Sequence, residues 1–201
     1  MRIKRLIGAT FVAVLAMSAV AVASASAHLF DSSKAGEAIK SEALATQVFT
    51  TQAGKVECTS LKTEKGTTVQ DSKTQEITIK YEGCKAFGLK ATVSAANYRF
   101  HTSAGEGSED TGGTVDVLKE ITIKALGCTV KVPVQSGLGT VTFKTVESAG
   151  VKHVELIPSV SGITSSGEGA ACTYASESKG TYTGASKAFA TNSVFVEGDV
   201  S

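Results

Sequence analysis

The sequence predicts an all-β fold, an antiparallel β-sandwich or an open barrel, stapled by two disulfides. Three observations predict it. Apolar and polar residues alternate with period two along much of the chain, the pattern of strands with one face in a core and one in water. Glycine-containing turn signals recur about every ten residues, the spacing of short antiparallel strands. Four cysteines, Cys58, Cys84, Cys128 and Cys172, form an even set with no pair close enough for a zinc site.

The first 27 residues read as a secretory leader. Arg2, Lys4 and Arg5 form a basic start, an apolar run covers Leu6 to Ala23, and Ala25-Ser26-Ala27 supplies a small-x-small cleavage pattern. The 18-residue run reaches the lower limit of a membrane span. Its content of Ala, Gly, Ser and Thr, and the cleavage pattern behind it, favour a cleaved signal. No other apolar stretch approaches spanning length, and no cysteine near the cleavage site offers a lipid anchor. The expectation is therefore a signal peptide over 1–27 and a single secreted, extracellular all-β domain over 28–201, with no membrane span after cleavage.

Within that domain, Lys34 to Ala45 is rich in helix formers but interrupted by Gly36, leaving helix and strand both open, with strand preferred. Gln52-Ala53-Gly54 joins a strand near 47–51 to one near 55–59 as a hairpin. Ile77, Ile79 and Tyr81 share a face opposite Glu76, Thr78 and Lys80; Ile121 and Ile123 repeat the pattern. Further apolar faces are Cys128, Val130, Val132 and Val134; Val141 and Phe143; and Val154, Leu156, Pro158 and Val160. Turns are expected at Gly83, Gly88, Gly112-Gly113, Gly127, Ser136-Gly137, Ala149-Gly150 and Ser166-Gly167. Pro133 and Pro158 lack an N–H, which predicts strand edges, ends or bulges there. Thr102 to Gly113 reads as a loop, and Val194–Val196 as a last strand.

Residues 75–84 (Gln-Glu-Ile-Thr-Ile-Lys-Tyr-Glu-Gly-Cys) and 119–128 (Lys-Glu-Ile-Thr-Ile-Lys-Ala-Leu-Gly-Cys) match at seven of ten positions. Two related halves, each with its own bridge, would account for the echo. That reading prefers Cys58–Cys84 and Cys128–Cys172 among the three possible connectivities.

Composition narrows the function. The leader carries three cations and no acid, so its removal takes the formal net charge from +1 to about −2 and leaves Arg99 as the one arginine. Such a chain lacks the basic clusters and bidentate forks of nucleic-acid binding. With 6% aromatic residues and no Trp, it offers few stacking platforms for sugars or peptides.

The ordered segments Val56-Glu57-Cys58-Thr59, Tyr81-Glu82-Gly83-Cys84-Lys85-Ala86-Phe87-Gly88, Gly127-Cys128-Thr129-Val130, Val160-Ser161-Gly162-Ile163 and Gly180-Thr181-Tyr182-Thr183-Gly184 follow a leader ending Ala-Ser-Ala-His. With them the chain resembles a family of uncharacterised secreted actinobacterial proteins across most of its mature length. The resemblance implies export and an all-β fold, and no established activity. It also implies two further cysteines in relatives, near Ala96 and Lys119, whose joint absence here fits a bridge between them.

Candidate chemistry is sparse. Cleavage after Ala27 would expose His28 as an N-terminal amine and imidazole, half of a copper site that His101 or His153 could complete. Glu106, Glu109 and Asp110 are oxygen donors for calcium, in a spacing that matches no calcium loop. No Gly-x-Ser-x-Gly elbow is present, and no cysteine reads as a nucleophile. The expectation is an exported, non-catalytic β-domain, without cofactor, with a structural, adhesive or cell-surface role and a cell-envelope or extracellular partner. A secreted small-ligand or metal-binding protein is the alternative, and a secreted hydrolase the third reading.

Overall fold

The computed structural model describes residues 29–103, 110–148, 150–172, 175–190 and 195–197. They form strands and turns only: β1 (Phe30–Ser32), β2 (Ile39–Thr51), β3 (Gly54–Lys65), β4 (Thr74–Ala86) and β5 (Leu89–Lys90). Next come β6 (Thr92–Val93), β7 (Ala96–Thr102), β8 (Asp110–Val117), β9 (Ile121–Ala125) and β10 (Cys128–Val132). The chain continues through β11 (Gln135–Ser148), β12 (Val151–Glu168), β13 (Ser176–Ala190) and β14 (Phe195–Glu197).

Of the sandwich and the open barrel expected, the structure takes the barrel and closes it. One antiparallel sheet curls through β11-β8-β7-β4-β3-β2-β13-β12, and β12 pairs again with β11, so these eight strands form a closed ring of hydrogen-bonded neighbours. Closure removes the free edges that an open sheet would expose to other chains. The 18-residue β12 serves two partners on one side: Val151–Ser159 pairs β11, and Ser166–Glu168 pairs β10. From there β10, β9 and β6 branch as a flap at one end of the barrel. β1 and β14 make a separate two-stranded piece, which packs against β11, β12 and β13 at the opposite end.

Of residues 34–45, 39–45 belong to β2 and 34–38 form a turn with the single bridge Ala38↔Thr67, with no helix; Gln52-Ala53 is the two-residue turn of the β2–β3 hairpin. The alternating apolar faces point inward as expected, apart from Val134, which lies beyond the end of β10 and is exposed.

Several glycines expected at turns lie inside strands. Gly83 sits in β4 with φ +64°, where the inward face switches from Ile77, Ile79 and Tyr81 to Cys84 and Ala86. A Cβ there would stand 2.2 Å from Thr59 Oγ1, so the kink depends on glycine. Gly113 lies in β8, where a Cβ would meet the His101 carbonyl oxygen at 2.1 Å and the Phe143 ring at 2.5 Å. Ser136-Gly137 and Ser166-Gly167 likewise fall within β11 and β12.

Pro133 follows the end of β10, as a residue without an N–H requires. Of the edge, end or bulge expected at Pro158, the first two are excluded, because β12 has neighbours on both sides and continues past it. It is tolerated where the β12–β13 ladder skips from Leu156↔Ser186 to Ser159↔Thr183.

Aromatic rings fill the barrel from end to end. Phe30 meets Phe143 at 5.1 Å between centroids, Phe143 meets Phe100 at 6.0 Å, and Phe100 meets Tyr98 at 5.9 Å. Phe49 then packs on Tyr81 at 5.0 Å and on Tyr182 at 4.6 Å. Eight strands leave an interior that side chains can just fill.

Both preferred disulfides form. Cys58–Cys84 joins directly opposed residues of β3 and β4 inside the core. Cys128–Cys172 ties the start of β10 to the segment after β12. The echoing segments occupy unlike places, since 75–84 is a barrel stave and 119–128 belongs to the end flap.

The β7–β8 ladder pairs Tyr98 with Val117, and the Leu118 N–H donates to Asn97 O. Continued in that register, it sets Ala96 opposite Lys119. An Ala96→Cys/Lys119→Cys double variant is expected to form a third bridge and raise stability by up to about 3 kcal/mol. Thiol counting and urea midpoints check it.

Candidate functional site

Three places in the fold carry polar or exposed groups that chemistry could use. The first is the middle of the barrel, where the tyrosine hydroxyls converge. The Gln47 side chain, 1% exposed on β2, donates both amide hydrogens, to Ala45 O at 2.7 Å and Ala185 O at 2.8 Å. Its Oε1 must therefore accept, and Tyr182 donates to it at 2.5 Å. Tyr81 in turn donates to Tyr182 at 3.2 Å, which leaves Tyr98 as donor to Tyr81 at 3.0 Å. The result is a one-way relay, Tyr98 to Tyr81 to Tyr182 to Gln47, with every hydroxyl hydrogen consumed.

Burial pushes the Tyr98 hydroxyl up to about 12, and desolvation raises Tyr81 and Tyr182 well above the ordinary tyrosine value. All three stay protonated donors in ordinary buffers. Two adjoining cavities of about 50 and about 40 Å³ flank this relay, sharing Tyr98, Val115, Val160 and Tyr182 in their walls. Their walls are otherwise almost wholly apolar.

The predicted metal and histidine candidates come second, and they share no one place. His28, Glu106, Glu109 and the Asp110 side chain lie outside the described residues. Among the described residues no group of three His, Cys, Asp or Glu side chains stands together as a metal site. His101 bonds Asp116 (Nε2–Oδ2 2.8 Å), whose other oxygen accepts the Gly137 N–H at 2.8 Å. Burial pushes the Asp116 carboxyl upward, but the Gly137 N–H, the His101 ring and the Arg99 charge outweigh it and hold it below its ordinary range. Alternation with buried Val154 would set His153 on the solvent face. It is 7% exposed instead, at the end where β14 packs on β11 and β12, with Glu155 Oε1 at 3.7 Å. The two histidines thus stand on different strands with different acidic neighbours.

The third place is the rim of the barrel beneath the flap. Two hairpins, β4–β5 and β9–β10, close with two-residue turns, Phe87-Gly88 and Leu126-Gly127. All four residues have positive φ: 51° and 78° in the first turn, 56° and 79° in the second. Such turns favour Asn-Gly or Asp-Gly, because bulky L-residues pay about 1–2 kcal/mol to enter the left-handed region. Asp71, the other non-glycine at positive φ among the described residues, is of the favoured type. Phe87 and Leu126 are not.

Nor does burial compensate them. Phe87 is 72% exposed, Leu126 48% and Leu89, next to the first turn, 57%. Phe87 and Leu126 border one apolar cleft of about 80 Å³, with Ala53, Val56, Ala125 and Ala171 in its walls. The Phe87 ring lies over Gly54 so closely that a Cβ at Gly54 would stand 2.5 Å from Phe87 Cζ. Buried Glu177 fixes the neighbouring turn by accepting the Gln52 N–H at 2.9 Å and the Ser165 hydroxyl at 3.1 Å. The rim is held rigidly while its apolar tips face water.

No protein-family model, no curated protein and no solved structure matches this chain. Gln47, Phe87 and Leu126 stand outside the motifs the sequence offers as candidate sites. Gln47 was visible as a polar residue at an inward position beside Phe49. Phe-Gly and Leu-Gly in hairpin turns were visible as the wrong partners for glycine.

Proposed function

We propose that the protein is an exported, non-catalytic β-barrel with an adhesive or cell-surface interaction role, exercised through the rim that carries Phe87 and Leu126. The observation that carries this reading is the pair of strained turns. Strained backbone persists where the surrounding structure over-determines it and is concentrated at working sites. Here the strain holds two apolar side chains in solvent beside a common cleft.

Two further observations support it. The interior is given over to packing: cavities of about 50 and about 40 Å³ fall short of the roughly 150 Å³ that admits benzene, and of the several hundred that ordinary ligands need. Both disulfides are of the kind that forms outside a reducing cytosol, consistent with an extracellular location. Among the described residues no helix is long and apolar enough to cross a membrane.

The test is expression of the full chain in a secreting host, followed by partition of the product between cell envelope and medium. The wild type should be enriched on the envelope, and a Phe87→Asn/Leu126→Asn double variant should move to the medium with its fold intact. Equal partition of the two would contradict the reading.

A further inference from the structure

The apolar tips stand among unpaired positive charges. Lys85 and Lys90 are direct cross-strand partners in the β4–β5 hairpin, an arrangement in which like charges repel. Lys55 follows Gly54 at the start of β3, and Lys124 lies two residues before Leu126 in β9. All four lysines are exposed, and none forms an ion pair among the described residues. Other lysines do: Lys62 reaches Glu82, Lys131 reaches Glu168 and Lys187 reaches Glu42. Near the tips two exposed carboxylates intervene: Glu57, the register partner of Lys85, and Glu168, opposite Thr129 and taken up by Lys131. Lys55, Glu57, Lys85 and Phe87 line one shallow groove.

With Glu168 neutralised by Lys131, four unpaired lysines against Glu57 make this rim cationic, on a domain whose expected net charge is about −2 once the leader is gone. Apolar tips amid lysines suit one surface in particular. At a bilayer, Phe and Leu enter the boundary between headgroups and acyl chains, while lysine stems lie along them and the ammonium groups meet lipid phosphates. Protein interfaces have the opposite preference, depleting lysine and enriching Tyr, Trp and Arg. Resting on the interaction role proposed above, we infer that this rim docks on an anionic phospholipid bilayer, with Phe87 and Leu126 as the inserted tips.

The experiment is sedimentation of the purified protein with sucrose-loaded vesicles, either phosphatidylcholine alone or phosphatidylcholine mixed with phosphatidylglycerol. It is run at about 0.1 M and about 1 M salt, between which charge screening shortens from about 10 to about 3 Å. Binding is expected to the mixed vesicles at low salt, with loss at high salt and on the neutral lipid. Lys85→Gln/Lys90→Gln should weaken binding about 25-fold, at roughly fivefold per lysine. Phe87→Asn/Leu126→Asn should abolish it while the melting temperature holds or rises, because asparagine accepts the left-handed turn. Phe87→Trp, in a chain with no other tryptophan, should shift its emission to the blue on the mixed vesicles.

Failure of the mixed vesicles to sediment the wild type at low salt, equal binding to neutral lipid, or unchanged binding of the asparagine variant would each overturn the inference. The envelope partition assay separates the two claims. If envelopes retain the wild type and release the asparagine variant while vesicles bind neither, the rim is a docking surface for a protein or glycan and the lipid assignment falls. If envelopes retain neither, the interaction role falls with it.

Discussion

Replacing Cys58 and Cys84 together by alanine is expected to cost at least about 3.5 kcal/mol of unfolding free energy. The loop-closure estimate for a 26-residue separation supplies that figure. Loss of the buried sulfurs adds to it, since Cys58 is fully buried and Cys84 nearly so. The second bridge spans 44 residues, and chain entropy alone ranks it higher, at about 4 kcal/mol. Its position argues the reverse order. Cys128 and Cys172 are only partly buried and tie the flap, which can open while the ring of staves stays closed. Denaturant midpoints of the two double variants should therefore show the larger global loss for Cys58/Cys84. The Cys128/Cys172 variant should show its loss as faster hydrogen exchange in β9 and β10. A Cys58/Cys84 variant within about 1 kcal/mol of the wild type would contradict this assignment of the core bridge.

Alkaline pH should unfold the protein steeply. Three of its four tyrosines, Tyr81, Tyr98 and Tyr182, have hydroxyls raised by burial above the value near 10 that they take in an unfolded chain. A group raised in the folded state contributes its full stability below the unfolded value and loses it as pH climbs toward the folded one. Between those limits each tyrosine ionises only when the chain unfolds. Each then removes about 1.4 kcal/mol per pH unit, so the three together remove about 4. Against a typical domain stability of 5–15 kcal/mol, that erases the fold within about one to four units above pH 10. Absorbance at 295 nm followed alongside far-UV circular dichroism is the measurement. No more than one tyrosine should ionise before the dichroism changes, and the others should appear together with unfolding. Titration of all four near pH 10 with the dichroism unchanged would show that the relay is not buried.

How much of this was legible beforehand depended on whether a local pattern or a global closure decided the matter. Ile77, Ile79, Val141, Phe143 and Val154 announced their inward faces because alternation is a local property of a strand. Continued past Tyr81, the same rule would set Cys84 on the outer face, because it cannot register the switch at Gly83, which depends on Thr59 lying opposite. Gly112-Gly113 read as a turn for a related reason. Nothing local says that His101 and Phe143 approach from other strands and leave room only for hydrogen atoms.

Barrel closure itself required β11 to pair on two sides, a long-range fact with no signature in either strand. The proposed interaction surface was the least legible part. It is made of two hairpin turns 39 residues apart, and each alone looks like an ordinary exposed hydrophobic residue. Only their shared cleft, their shared left-handed backbone and the lysines around them give them meaning.

The measurement that bears most directly on a barrel oxidised and clamped outside the cytosol is the intact mass of the exported protein, alkylated with and without prior reduction. The account predicts a chain beginning at His28, lacking the 27-residue leader, with no cysteine alkylated until reductant is added and all four alkylated afterwards. A product that retains Met1 and alkylates at four cysteines without reductant would contradict it.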